Sequence, residues 1–316
     1  MFKYYLYRFA RFLVNRLSLA MSYKLGIILS DIQYVFSFRD RRAVRNNLKR
    51  ILPACPAGRP SGVDLSAKTR EVFRNFGKYL VEFLRMDGMV DKDFIAHRVK
   101  IENIDRIDQA LKKGKGAIIM TAHIGNWELG AVLLNMLGYQ LMAVALPHKE
   151  RPVNDLFNHQ REVHGITVVA TNNAIRKCME HLKSNKIIAI VGDRDFTVKG
   201  GELIDFFGVK ALIPKGTATF SKKTGAPILP TFLIREPDNT FRLSILEPMF
   251  PPKDADEEGV PEEEAIRRIM RRYLTVIEDQ IRRYPAQWLL FREFAVSSVS
   301  SVSSVSSVSG EAGGIR

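Results

Sequence analysis

The chain has 316 residues, of which 46% are hydrophobic, and a formal net charge of +14. This composition excludes a chain that is disordered throughout, and the length suits one large domain or two small ones. The positive charge predicts a polyanionic partner, which could be nucleic acid, anionic lipid or an acidic carrier.

The first fifty residues hold most of the excess charge, with eleven Lys and Arg residues against two Asp. The cations alternate with apolar and aromatic residues such as Phe9 and Phe12, a composition typical of an interfacial amphipathic helix. A tail that binds nucleic acid would lack the apolar half. Residues 17–38 are the most apolar part, but Lys24 and Asp31 interrupt them. We therefore expect this region to lie on an anionic membrane surface rather than cross it, without a cleavable signal peptide.

The remaining chain divides into predicted helices and strands. Residues 41–52 and 69–84 read as helices, separated by a loop rich in Pro and Gly. Beyond residue 99, short apolar runs alternate with helical stretches, which predicts an α/β core with a central, mostly parallel sheet flanked by helices. The predicted strands cover residues 117–121, 141–146, 166–170, 187–191, 228–234 and 241–246.

A long amphipathic helix is predicted for residues 262–283, ending before Pro285. A Val-Ser-Ser repeat follows, and it has too few large apolar side chains to offset the entropy of ordering it. The expected organisation is a helical membrane-associating region at 1–98, an α/β core at 99–294 and a disordered tail at 295–316.

The strongest candidate for chemistry follows the first predicted core strand. His123 stands just after this strand and Glu128 just inside the next predicted helix. Five positions in a regular helix would turn the two side chains away from each other, so the pair requires His123 on a turn. Gly125 permits that turn, and Asn126 is the predicted N-cap. A neutral imidazole is the side chain best suited to take a proton near pH 7, and we expect Glu128 to accept its other N–H.

Two further groups of residues are candidates for substrate binding. Asp193, Arg194 and Asp195 follow a predicted strand directly, and Glu202 comes shortly after them. A salt-bridged loop at the strand end and a solvated turn residue are the structural alternatives. Arg161 lies in a predicted helix, where it could hold a phosphate or be an ordinary surface charge. The nearby Phe206 and Phe207 would suit an acyl chain, although aromatic side chains more often pack into the core.

Several common site types have no sequence support. There is no Gly-x-Ser-x-Gly elbow, Walker loop or Gly-x-Gly-x-x-Gly turn, which argues against serine hydrolases and nucleotide enzymes. Neither His159 and His164 nor the two cysteines, Cys55 and Cys178, have a metal-site spacing. We expect no metal, no cofactor and no nucleic acid, and the simplest compartment for two unpaired cysteines is a reducing one.

The combined motifs resemble the bacterial late acyltransferases of lipid A biosynthesis and the related phosphatidylinositol mannoside acyltransferases. The most specific block is Thr121-Ala-His-Ile-Gly-Asn-Trp-Glu128, which matches the family's His-x-x-x-x-acid pattern. Arg161 fits a basic substrate-binding position. The later blocks are Gly192-Asp-Arg-Asp195 with Phe206-Phe207-Gly208, Pro214-x-Gly216, Thr224-Gly-Ala-Pro227 and Tyr284-Pro-Ala-Gln-Trp288.

This resemblance implies an acyl carrier protein or coenzyme A thioester as the donor and a glycolipid hydroxyl as the acceptor. It also implies a position at the cytoplasmic face of the inner membrane and a contribution of Glu202 near the histidine. Lipid A enzymes more often carry Asp-Gln-Asp where this chain has Asp193-Arg194-Asp195, so the acceptor stays open between a lipid A precursor and a phosphatidylinositol mannoside. The alternatives are a lysophospholipid acyltransferase, whose Phe-Pro-Glu-Gly-Thr run is absent, and a non-catalytic protein that binds anionic lipid or nucleic acid.

Overall fold

The computed structural model describes residues 2–52, 64–171, 174–194, 201–252 and 259–296. The helices in these ranges are α1 (Phe2–Arg16), α2 (Leu19–Phe36), α3 (Phe38–Ile51), α4 (Leu65–Met89), α5 (Lys92–Arg98), α6 (Asp105–Leu111), α7 (Trp127–Met136), α8 (Arg151–Glu162), α9 (Ala174–Lys183), α10 (Gly216–Thr224) and α11 (Glu262–Arg283). The strands are β1 (Val99–Glu102), β2 (Ala117–Thr121), β3 (Leu141–Ala145), β4 (Thr167–Ala170), β5 (Ile187–Val191), β6 (Gly201–Phe206), β7 (Val209–Pro214), β8 (Ile228–Arg235) and β9 (Phe241–Ile245).

Seven of these strands form a central sheet in the order β1-β9-β8-β2-β5-β3-β4. Every neighbouring pair is parallel except β8 and β9, which are antiparallel. Helices cover the sheet, so the predicted α/β class with a mostly parallel central sheet is confirmed. Strand β2 lies near the middle, with β5 on one side and β8 on the other.

The core lies on both faces of this sheet, as the alternation of side chains along β2 illustrates. Ile118 and Met120 pack in the cluster that includes α9, α10 and α11, whereas Ala117 and Ile119 pack in the cluster that includes α7 and α8. All five residues of β2 are buried. A strand that is covered on both faces reads as a continuous apolar run, which is why the sequence reveals it.

The N-terminal helices carry apolar side chains on their outer surface. Phe9 and Phe12 on α1 are 63% and 57% exposed, and Phe36 at the end of α2 is 74% exposed. The opposite faces pack on α4, which contacts both α1 and α2. None of the described helices combines the length and the low charge that a bilayer-spanning segment requires.

Apart from shifts of one residue at strand ends, the structure differs from the sequence-based elements in three main respects. Strand β1 and the β6–β7 hairpin are not predicted from the sequence, because only part of each strand is buried and charged residues interrupt the apolar runs. Helices α3 and α4 are longer than predicted, whereas α11 has the predicted bounds. Ala295 and Val296 were assigned to the tail, but they pair with Ala211 and Lys210 of β7. The predicted loop at 53–63 and the tail from residue 297 lie outside the described residues, and the three-part division stays a prediction.

Candidate active site

The turn between β2 and α7 carries His123, as the sequence predicts. Gly125 has a φ of +63°, and a Cβ atom there would lie 2.0 Å from the carbonyl oxygen of Leu233. This position therefore requires glycine. Asn126 is the N-cap of α7, because its side chain accepts a hydrogen bond from the N–H of Leu129 at 3.0 Å.

Backbone hydrogen bonds from two other segments hold this turn in place. The N–H of Leu289 donates to the carbonyl oxygen of His123 at 2.7 Å, and the N–H of Gly125 donates to Gln287 at 3.0 Å. On the other side, the N–H of Asn126 donates to Leu233 of β8, also at 3.0 Å. The backbone that carries the imidazole is thus held on both sides.

The imidazole of His123 is paired with Asp193, which lies just beyond the end of β5. His123 Nδ1 lies 2.6 Å from Asp193 Oδ1, and the indole N–H of Trp288 donates to Asp193 Oδ2 at 2.8 Å. The Asp193 side chain is fully buried, whereas that of His123 is 15% exposed. Because an ionised carboxylate only accepts hydrogen bonds, Nδ1 must carry the proton. The described residues make no hydrogen bond to Nε2, which leaves its lone pair available.

The electrostatics of the pair favour a neutral imidazole beside an ionised carboxylate. Burial lowers the pKa of His123 below 6.5, and the charge of Asp193 only partly opposes this shift. Burial alone would raise the pKa of Asp193, but its interaction and hydrogen bond with His123, the charge of Arg194 and the hydrogen bond from the Trp288 indole hold it well below its usual range. At neutral pH, His123 can therefore accept a proton.

The sequence predicts a hydrogen bond between Glu128 and the imidazole of His123, and this prediction is wrong. Glu128 instead makes a bidentate ion pair with Arg161 of α8, with N–O distances of 2.7 and 2.9 Å. Both side chains are mostly buried. Glu128 is the second residue of α7, and the rotation of the helix at this position directs its carboxylate towards Arg161 of α8 instead of the imidazole. Burial opposes its ionisation, but Arg161 outweighs burial and lowers the pKa of Glu128.

Aromatic rings form one side of the site. The ring of Trp127 contacts the imidazole of His123 edge to face, with the centroids 4.8 Å apart, and stacks on Tyr79 of α4 at 4.6 Å. Phe206 is fully buried and packs against Trp288 and Phe294. Of the two alternatives open from the sequence, contact with an acyl chain or packing into the core, Phe206 therefore adopts the second.

The other predicted residues occupy different positions. Arg194 is partly buried next to Asp193, and burial lowers the pKa of its guanidinium. Glu202, on β6, accepts a hydrogen bond from Arg267 of α11 at 2.7 Å, and it makes no hydrogen bond to His123. Asp195 lies outside the described residues.

The roles of Asp193 and Trp288 do not follow from the sequence alone. The sequence favours substrate binding for Asp193, although its position after a parallel strand is equivalent to that of His123. Trp288 stands out in the sequence only as part of a closing motif. A buried indole must find an acceptor for its N–H, and this requirement is the available signal that Trp288 has a polar partner.

Comparisons with known proteins agree with the motifs of the site. Residues 1–294 match the family described as bacterial lipid A biosynthesis acyltransferase. A phosphatidylinositol mannoside acyltransferase of Mycobacterium tuberculosis is 29% identical over 60% of this chain and 59% of its own length. One from Mycolicibacterium smegmatis is 27% identical over 65% and 66%.

A lipid A biosynthesis acyltransferase of Haemophilus influenzae is 26% identical over 45% of this chain and 44% of its own length. In each of these alignments the chain spans less than two thirds of its relative. The family match, by contrast, extends over the N-terminal helices, the whole central sheet and the segment that carries Trp288. The chain belongs to the bacterial lipid A biosynthesis acyltransferase family.

Proposed function

We propose that the protein transfers a fatty acyl group from an acyl thioester to a hydroxyl of a membrane glycolipid. The observation that carries this proposal is the imidazole of His123, held by a buried carboxylate and with Nε2 unpaired among the described residues. A hydroxyl must lose its proton to attack a thioester, and a neutral imidazole, which the lowered pKa of His123 favours, is suited to accept it. Asp193 and Trp288 keep the imidazole in the required tautomer.

The reaction then proceeds in two steps. His123 Nε2 takes the proton of the acceptor hydroxyl as its oxygen forms a bond to the thioester carbonyl carbon. The resulting tetrahedral intermediate breaks its carbon–sulfur bond, and the thiolate recovers the proton from the imidazolium. The products are an ester and a free thiol, and no cofactor is needed.

The first turn of α7 supports this chemistry. The N–H groups at the start of a helix have no partner within it, and here only that of Leu129 is used by the N-cap side chain. The N–H groups of Trp127 and Glu128 are therefore candidates to stabilise the negative oxygen of the intermediate.

We assign substrate binding to charged side chains close to the turn that carries His123. Arg161 and Arg194 are the cations suited to anionic groups of the donor or the acceptor. Asp193 acts through the imidazole, and Glu128 acts by holding Arg161 in position. Asp195 and Glu202 remain proposed substrate contacts on the basis of the family pattern alone.

The acceptor is proposed to be a lipid A precursor, and the donor an acyl carrier protein or acyl-coenzyme A thioester. The family description and the Haemophilus influenzae relative support this acceptor. A phosphatidylinositol mannoside is the second candidate, because relatives with that name match more of the chain. The presence of Arg194 in place of glutamine also favours this second candidate.

We also propose that the N-terminal helices bind the cytoplasmic face of the inner membrane. Exposed apolar side chains on α1 and α2, including Phe9 and Phe36, lie among cations such as Arg8 and Arg39. This combination suits an anionic lipid surface better than nucleic acid, because apolar side chains can insert between lipids but not into a phosphate backbone.

To test this function, the purified protein is incubated with a fatty acyl thioester of acyl carrier protein or of coenzyme A, in separate reactions. Each donor is combined with a lipid A precursor, a phosphatidylinositol mannoside or a lysophospholipid, and the products are identified by mass spectrometry. Acyl transfer to either glycolipid supports the proposal. Transfer only to the lysophospholipid, or to none of the three, contradicts it. Comparing the lipids of a host with and without the gene identifies the natural acceptor.

A further inference from the structure

A second buried polar cluster lies behind the turn that carries His123. The carboxylate of Glu82 on α4 accepts hydrogen bonds from Tyr23 of α2 at 2.7 Å, from Arg235 of β8 at 2.6 Å and from the amide of Asn126 at 2.7 Å. Glu82 and Asn126 are fully buried, and Arg235 and Tyr23 are 5% and 7% exposed. None of these residues touches the reacting groups described above.

A buried ion pair of this kind is a weak source of stability. Removing two charges from water costs several kcal/mol, and apolar residues of similar volume are often equally stable in their place. Packing alone therefore does not account for a carboxylate at position 82. A role in which position 82 must accept hydrogen bonds explains the carboxylate, because an apolar side chain of the same size could fill the space but could not accept them.

That role concerns the orientation of the Asn126 side chain. An amide has a donor end and an acceptor end, and only the acceptor end can cap the N–H of Leu129. An ionised carboxylate only accepts, so Glu82 requires the donor end of Asn126 to face it. The oxygen of Asn126 then points to the start of α7. In the flipped orientation, the amide donor would face the N–H of Leu129 and the cap would be lost.

We propose that Glu82 is a positioning residue for catalysis, because it fixes the Asn126 amide and with it the turn that carries His123. Tyr23 and Arg235 hold Glu82 in place for this purpose. The inference rests on the proposed function as far as turnover is concerned, but its structural part can be measured without any substrate.

An exchange of the two side chains tests the proposal. Glu82→Gln leaves one accepting oxygen, which can face either Asn126 or Tyr23 but not both, and Asn126→Asp places a carboxylate against Glu82, so each single variant disrupts the observed contacts. The double variant E82Q/N126D restores one donor facing one acceptor and retains a capping oxygen. Turnover with the thioester is measured together with hydrogen–deuterium exchange of residues 122–130.

Each single variant is expected to lower kcat about tenfold or more, while KM for the thioester changes by less than about threefold. Exchange of residues 122–130 should become faster in both single variants. The double variant should recover both properties towards the wild type. A merely structural role of Glu82 does not predict recovery on exchange of the two groups.

Two further variants keep the test decisive. Asn126→Ser retains a capping oxygen but replaces the amide donor to Glu82 by a hydroxyl on a shorter side chain, without adding charge. It therefore measures the contact even if a single charged variant fails to fold. Asp64→Asn changes the N-cap of α4, which has no such contact, and should leave kcat unchanged.

Wild-type exchange and kcat in Asn126→Ser, or no recovery of exchange in the double variant, would overturn the inference. Absence of transfer by the wild type would instead contradict the proposed function, and the exchange measurements would still test the positioning role.

Discussion

His123 and Asp193 meet because they occupy equivalent positions after two neighbouring parallel strands. The register of β2 and β5 pairs Thr121 with Val191, and each of the two functional residues stands two positions beyond its strand. The N–H of Gly192 continues this pairing with a hydrogen bond of 2.8 Å to the carbonyl oxygen of Thr121. The contact of 2.6 Å between Nδ1 and Oδ1 is thus a consequence of sheet register.

The first prediction concerns the carboxylate of this pair. Asp193→Asn retains the size of the side chain but lets the imidazole adopt the wrong tautomer, so we expect kcat to fall by about a hundredfold or more. Acyl transfer by the purified variant measures this effect. Its folding is checked by denaturant unfolding, and a folded variant with wild-type kcat would exclude Asp193 from the mechanism.

The pH dependence follows from the lowered pKa of His123. Burial, the main cause, favours the neutral form that accepts the proton, so kcat/KM should be level at neutral pH. It should fall about tenfold per pH unit below the pKa of the imidazole, which lies under 6.5. Because the charge of Asp193 raises this pKa, Asp193→Asn should move the decline to lower pH. A decline that moves to higher pH in this variant would contradict the assignment.

Gly125 allows a test of the turn itself. Gly125→Ala introduces a methyl group against the carbonyl oxygen of Leu233 at a positive φ, so we expect a loss of about 2 kcal/mol or more in the free energy of unfolding. Gly114→Ala is the matched control, because its φ of +68° is similar but no atom lies within 4 Å. Gly114→Ala should cost only about 1 kcal/mol. Equal losses in the two variants would show that the close approach at Gly125 does not matter.

Much of the fold could be predicted from the sequence. The buried strands β2 and β5 are continuous apolar runs, and α11 is marked by glutamates at its start and arginines at its end. Strand β1 and the β6–β7 hairpin lack such signals, since only part of each strand is buried.

The site could be predicted only in part. His123 and its turn follow from Gly125 and Asn126, which act locally. The partner of the imidazole depends on strand register, and that of Glu128 depends on where α8 packs. Trp288 reaches Asp193 from 95 residues away. Such contacts depend on tertiary packing, which local patterns do not report.

The N-terminal surface gives a prediction about membrane binding. Replacing Phe9 and Phe12 by serine removes two exposed apolar side chains from α1, so co-sedimentation with vesicles that contain anionic lipid should weaken at least about tenfold. The matched control replaces Val163 and Ile175 by serine. These side chains are 49% and 74% exposed and lie on other parts of the chain. Equal loss in both double variants, or none in either, would contradict a specific role of α1.

The removal of the imidazole is the most direct test of the central claim. We compare acyl transfer from the thioester to the glycolipid by the wild type, by His123→Ala and by His97→Ala, which changes an exposed histidine on α5. We predict that His123→Ala lowers kcat by about a hundredfold or more, whereas His97→Ala retains wild-type turnover. Turnover near the wild-type level in folded His123→Ala would show that His123 is not the base.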